Sequence, residues 1–272
     1  MDYGFCDLCV HASTNKRNLR ETLLKLYNVG YNTVALNQNV DENVFHNEKK
    51  KKKKTDENDT VIPCIPEPID VNDLLEEFKG KLNILHRITF SFSDPIKTHS
   101  LNQLPILNKY NLYAIIPKSQ VAFQFACSQL NVDIITINST SSHIKLSRKL
   151  YSQAIEKGIH FEINYSDVIN TSTRKLAIYH SHLLYTFGKS KNVIISSGAN
   201  NHYSIRNPYD IINLARLLGL NEVKAKCSIL QQAHRVLLKG EGRRCRKAIF
   251  RIYRDTDDDL KLHDPAAKRL KS

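Results

Sequence analysis

No stretch of this 272-residue chain approaches the ~18–20 consecutive apolar residues that a membrane-spanning helix needs. The opening MDYGFCDLCVHAS lacks a basic start followed by an apolar run, so no secretory signal is expected. No Gly-x-Gly-x-x-Gly follows the first apolar segment, which removes sequence support for a dinucleotide fold. A P-loop and a Gly-x-Ser-x-Gly nucleophile elbow are also absent, which argues against phosphate cradling and serine-hydrolase chemistry. The six cysteines are scattered rather than packed into a short frame, as suits a reducing compartment. Cys6 and Cys9 form Cys-x-x-Cys. Positions three apart on a strand face opposite sides, so reduced thiols are expected there rather than a redox or metal pair.

What the chain has in excess is positive charge, +13 overall. Its placement matters more than its size. The run Lys49–Lys54 is matched by Asp41, Glu42, Glu48, Asp56, Glu57 and Asp59, so residues 41–60 are neutral. The segment 239–254, KGEGRRCRKAIFRIYR, carries seven basic residues against Glu241 alone. Such a strip points to an anionic partner, nucleic acid being the commonest.

The 41% hydrophobic content is enough for one buried core or two small ones, and the apolar segments alternate regularly. Strands are expected at 4–10, 32–37, 82–92, 112–117, 132–138, 159–165 and 192–199. Helices are expected between them, with Ser119 and Asn207 as caps, Pro208 in a first helical turn, and Gly30, Gly158 and Gly219 as stops. A single last helix is expected from Asn221 to about Leu238. Residues 41–68 read as a charged, then proline-punctuated excursion with a docked end. This pattern is an α/β fold: a parallel sheet with right-handed crossovers, close in size to a (β/α)₈ barrel of seven to eight strands. An open doubly wound sheet is the competing architecture. The barrel is expected to span 1–240, with 241–272 as a basic C-terminal extension.

Helices coat the outside of such a barrel, so the polar face of each alternating strand should turn inward. In the third strand that face holds Arg87, Thr89 and Ser91; in the sixth, His160, Glu162 and Asn164. Asp7, Cys9 and His11 alternate on the first strand and are expected to share its inward face. Asp-x-His-x-His at the end of a first barrel strand opens the site of one family of metal-dependent phosphoesterases. This chain resembles that pattern with Cys9 in place of the first histidine. A metal hydrolase would therefore use Asp7, Cys9, His11 and Glu162. The ligand count argues against it: later strands end in Asn37 with Gln38, Lys118, Asn138, and Ser196 with Ser197. Neither metal nor cofactor is expected, and Arg87 with Glu162 reads as an ion pair closing the barrel.

The block NVIISSGANNHYSIRNPYDIINLARLLGL, 192–220, resembles the thirty-kilodalton protein subunit family shared by nuclear ribonuclease P and ribonuclease MRP. GYNTVALN, LHRITFSFSDP at 85–95, the IPKS turn at 116–119, FACSQLNVDIITI at 125–137 and GIHFEINYSDVINTSTRK at 158–175 agree in order. The likeness covers most of 1–240 and lapses in the lysine-rich excursion and the last thirty or so residues. It implies a TIM-like barrel related to that of the PHP phosphoesterases but without their metal ligands. It further implies a non-catalytic subunit that binds the ribonuclease P and MRP RNAs beside a small ferredoxin-like sibling and other particle proteins, with precursor tRNA as a further contact. The RNA would remove the 5′ leader of precursor tRNA, and the MRP particle would process ribosomal RNA. The setting implied is nuclear and nucleolar.

By the same likeness Arg87, Lys118, Arg174 and Arg206 are candidates for RNA contact, against salt bridges or helix-end contacts as the plainer roles. For Arg243, Arg244, Arg246, Lys247 and Arg251 the case rests on the residues themselves: a basic strip interleaved with Phe250 and Tyr253 suits phosphate neutralisation and stacking. DPAAKRLKS, 264–272, resembles a short nuclear-localisation signal. A protein scaffold whose basic tail serves only import is the third reading.

Overall fold

The computed structural model describes residues 4–13, 15–45, 65–95, 104–137 and 144–246. The Lys49–Lys54 run, Lys247, Arg251 and the 264–272 tail lie outside them. In chain order the elements are β1 (Cys6–His11), α1 (Lys16–Asn28), β2 (Thr33–Asp41), α2 (Asn72–Glu77), β3 (Asn83–Phe92), β4 (Leu112–Pro117), α3 (Gln120–Ser128) and β5 (Ile134–Thr136). There follow α4 (Arg148–Glu156), β6 (His160–Asn164), α5 (Tyr165–Ile169), α6 (Arg174–Gly188), β7 (Val193–Ser196), α7 (Pro208–Leu217), α8 (Glu222–Ile229) and α9 (Gln231–Cys245). The strands run in sequence order β1 to β7, each parallel to the next, in a nearly closed barrel with flanking helices.

Local chemistry explains most boundaries. Asn15, Ser119, Ser147, Asn207 and Asn221 each accept a backbone N–H of the first helical turn they precede. The apolar stripe Leu19, Leu23 and Leu26 seats α1, and Gly30 leaves the helix at φ +100°. β2 runs four residues beyond its expected end, because β3 offers partners as far as Ser91. The helix expected from Asn221 to Leu238 is two helices. The chain breaks at Leu230 (φ −115°, ψ −92°), and α9 then runs through Gly240 to Cys245. The expected boundary at 240 therefore falls inside a helix. At the described end of the 41–68 excursion Ile65 is buried and the Tyr110 hydroxyl donates to Pro66 O at 2.8 Å.

A bulge in β1 overturns one expectation. Asp7 pairs with Val34 and Val10 with Leu36, so three steps on β1 oppose two on β2. The extra residue flips the alternation. Cys6 and Leu8 face the lumen below it, in one cluster with Ala35, Leu112, Ala114, Ile134 and Ile194. Above it Cys9 and His11 face the lumen. Asp7 shares neither position: it lies on the outer side with Val34. Its Oδ1 accepts Ser197 N at 2.9 Å and Cys9 N at 3.3 Å, spanning the seam between β1 and β7. Gly198 N to Cys9 O (2.8 Å), His11 N to Ala199 O (2.9 Å) and Ser197 Oγ to Cys9 O (3.0 Å) complete the closure. Cys6 and Cys9, placed on opposite faces by simple alternation, both point inward and are buried.

Between strands and helices lies the larger core, with Phe90, Phe92, Tyr113, Phe123 and Phe161. A second core joins Val34 and Leu36 to the stripe of α1 and to Leu74 and Phe78. The lower lumen is closed by α9, which inserts Ala233, Val236 and Leu237 under it. Gly240 permits that approach: a Cβ there would sit 2.4 Å from Asn111 O. Alanine favours a helix interior by about 1 kcal/mol over glycine. Overpacking against backbone costs about 1–3 kcal/mol. Gly240→Ala is therefore expected to lower the midpoint of thermal unfolding; a raised midpoint would show that α9 does not press on the barrel floor.

Candidate functional site

At mid-height the lumen holds one ion pair. Arg87 and Glu162 have no exposed side-chain surface and meet as a two-pronged pair, Nη1 to Oε1 and Nη2 to Oε2, each 2.6 Å. Nη1 also donates to Leu8 O (2.7 Å), Nη2 to Thr136 Oγ1 (3.1 Å) and Nε to Thr89 Oγ1 (3.1 Å). A guanidinium has about five N–H donors, and each has an acceptor here. Thr136 Oγ1 donates in turn to Glu162 Oε2, and Thr89 Oγ1 to Asn37 Oδ1. Burial pushes Glu162 up, but the Arg87 charge and the surrounding hydrogen bonds outweigh it and hold the carboxyl below its ordinary range. Burial works against the Arg87 charge as well, and the negative groups around it more than compensate. The alternation of β3 and β6 therefore brings together the two residues it predicts. Arg87 as an RNA contact is corrected: with no exposed surface and its donors all engaged inside, it offers nothing to a strand outside.

Above the pair the barrel mouth opens into a cavity of about 470 Å³. Its walls come from the strands, including His11, Asn39, Thr89 and Asn164, from Asp167 of α5, and from the segment after β7, including Asn200, Tyr203 and Arg206. Burial, then the Arg87 charge, lowers His11, so the imidazole is neutral at pH 7. Asp167 is raised by burial and by Glu162.

The residues present do not fit a metal centre. Asp7 is turned to the seam by the bulge. Glu162 is held by Arg87. The Cys9 thiol is pushed far above neutrality, chiefly by burial. Among the described residues no three His, Cys, Asp or Glu side chains converge as metal ligands. The hydrolase built on Asp7, Cys9, His11 and Glu162 has no common focus.

The remaining basic candidates separate by burial. Lys118 pairs with Asp41 at 3.0 Å, both exposed. Arg174 donates to Val168 O and Ile169 O and caps α5. Arg206 donates through Nη1 to Tyr203 O and Ile205 O at the cavity rim. Arg243 is a latch: it bonds Asp133 Oδ2 (3.2 Å), Leu107 O, Tyr110 O and Asn111 O. Arg244 bonds Asn108 O and Glu241, and Arg246 is exposed just past α9. The first two arginines of the strip thus bind α9 to the barrel, which a charge count cannot distinguish from a free tail. Sequence reasoning turned Asn164 inward and placed Asn37 at a strand end, but passed over Asn39, Asn170, Asn200 and Asn201. The Asn37–Asn39 alternation in β2 was the available signal.

Two substitutions test this core. Arg87→Met strands a buried carboxylate and is expected to cost about 3–5 kcal/mol in urea unfolding, with much of the loss recovered on adding Glu162→Leu. A single-variant cost below about 1 kcal/mol, the range of exposed pairs, would mean the pair does not hold the barrel. Asp7 is pushed up to about 6, chiefly by burial, its N–H partners pulling the other way. The folded state then keeps a proton that the unfolded state releases near 4, so stability falls as pH rises through that window. Asp7→Asn keeps an acceptor and loses the charge. Its stability relative to the parent is expected to improve by on the order of 2–3 kcal/mol between pH 4 and pH 7. An unchanged difference across that range would show that folding does not raise the Asp7 carboxyl.

Known proteins resemble this chain in sequence and in fold. The family model for RNase P subunit p30 matches residues 4–245. The ribonuclease P protein subunit p30 of Mus musculus is 32% identical over 250 residues, covering 89% of this chain and 87% of that protein. The ribonuclease P/MRP protein subunit RPP1 of Saccharomyces cerevisiae is 26% identical over 230 residues, covering 83% and 73%. Among solved structures, a chain of an archaeal ribonuclease P determined by cryo-EM with mature tRNA matches with a TM-score of 0.63 at 17% identity. It covers 93% of this chain and 99% of that one, a likeness of fold. By its match over nearly all of the described residues, this chain belongs to the RNase P subunit p30 family.

Proposed function

We propose that the chain is a non-catalytic, RNA-binding protein subunit of ribonuclease P and ribonuclease MRP. The family match across 4–245 carries this reading. In it the RNA removes the 5′ leader of precursor tRNA, and the MRP particle acts on ribosomal RNA precursors. The subunit supports the catalytic RNA beside a small ferredoxin-like sibling and the other particle proteins, in the nucleus and nucleolus. A non-catalytic role is supported by the floor of the mouth, where the strongest potential acid and base, Glu162 and Arg87, neutralise each other.

The charge excess supports an RNA partner. Phosphate contact falls to the basic groups left at the surface: Arg174, Arg206 and Arg246, with Lys118 able to exchange Asp41 for a phosphate at small cost because that pair is exposed. Lys247 and Arg251 extend this set in sequence. Folded RNA is met mainly through shape and phosphates, so no base-by-base code is expected along this surface.

The test is gentle purification of the tagged protein from nuclei, with sequencing of the RNA that accompanies it. Strong enrichment of the ribonuclease P and MRP RNAs is the expected result. An RNA-free preparation at modest salt would remove the reading.

A further inference from the structure

Apart from Arg206 on its rim, the cavity at the barrel mouth has no part in the role just proposed, yet its lining suits a small ligand. Its volume of about 470 Å³ lies within the range of small-molecule pockets. Its polar lining is chiefly carboxamide: Asn37 and Asn39 from β2, Asn164 from β6, and Asn170, Asn200 and Asn201 from the loops after β6 and β7. Each carboxamide offers two donors and an acceptor, a complement to the hydrogen-bonding edge of a base. Asn164 Oδ1 is buried beside the well, behind its surface, without a hydrogen-bond partner, although a buried acceptor left alone costs about 1–3 kcal/mol.

Charge narrows the ligand class. At the floor Arg87 and Glu162 cancel, and the half-buried His11 imidazole is neutral. A phosphate buried deep in this well would find no free cation. The rim differs. Tyr203 is 77% exposed, a large flat ring at the edge of the cavity. Arg206 lines the same edge, and its guanidinium bonds the chain through Nη1, to Tyr203 O and Ile205 O. Amide well, aromatic platform and rim guanidinium match the three parts of a nucleotide: base edge, base face and phosphate. A peptide side chain would use the well but has no need of the other two.

We propose that the mouth of the barrel receives one unpaired nucleotide of the bound RNA. Its base enters the asparagine-lined well, its face lies on Tyr203, and its phosphate sits beside Arg206. This rests on the RNA-binding reading and gives the subunit a preference for a bulged or looped site over a continuous helix.

The test uses the full chain and a set of RNA hairpins on one stem: one fully paired, and four carrying a single bulged A, C, G or U. At least one bulged hairpin is expected to bind about tenfold more tightly than the paired one. Asn164→Leu and Tyr203→Ala are each expected to erase that preference while leaving affinity for the paired hairpin unchanged, and Tyr203→Phe to retain it. Tyr203 is exposed, so its variants report even if the Asn164 variant fails to fold. A photoreactive thio-base at the preferred bulge is expected to cross-link to Tyr203 or His11. Equal affinity for all five hairpins, or cross-links confined to other segments, would overturn the inference and leave RNA binding standing. Failure to bind any hairpin at low salt would overturn both.

Discussion

Five strands of this barrel answer to one guanidinium. Arg87 of β3 takes Glu162 of β6, Leu8 O of β1, Thr136 of β5 and, through Thr89, Asn37 of β2. An ion pair taken out of water must recover its hydration from protein groups, and only a sheet curved around it supplies acceptors from so many directions. The pair therefore constrains the barrel as much as it occupies it. A slip of one residue in β3 or β6 would turn its member outward into the apolar layer and leave the other charge uncompensated. The same arrangement sets the chemistry of the mouth. It removes one cation and one anion from solvent and leaves amides, hydroxyls and a neutral imidazole above them, with Asp167 and Arg206 farther out.

The seam works on a different principle. Where a closed parallel barrel would continue its backbone ladder, β1 and β7 meet through a short backbone patch and two side chains. Asp7 accepts the Ser197 and Cys9 N–H groups, and Ser197 Oγ donates to Cys9 O. The bulge that turns Asp7 toward β7 also turns Cys9 into the lumen. One inserted residue thus closes the barrel and disperses the ligand pattern that Asp7, Cys9 and His11 would form on an unbroken strand.

This explains which parts of the molecule were legible in the sequence. Strand–helix alternation gives the barrel, and the polar faces of β3 and β6 give its central pair, because both signals repeat and survive small boundary errors. The β1 bulge was not legible. Period-two reasoning has no term for an extra residue, and nothing in CDLCVHAS marks one. The break at Leu230 was missed for a related reason: no glycine or proline announces it. Arg243 shows the limit of charge counting, since its buried partners, Asp133 and three carbonyls, come from distant segments.

α9 also fixes the order in which the molecule can be completed. The lower lumen begins with Cys6 and Leu8, near the start of the chain, and is sealed by Ala233, Val236 and Leu237 near the end of the described part. His234 reaches back to Gly4 O at 2.9 Å. Chains are made from the N-terminus at about 5–20 residues per second, so the barrel strands emerge well before their floor does. During that interval the nascent protein carries an open apolar well at its base. A transcript cut short before α9 would yield strands able to pair and a lumen unable to close.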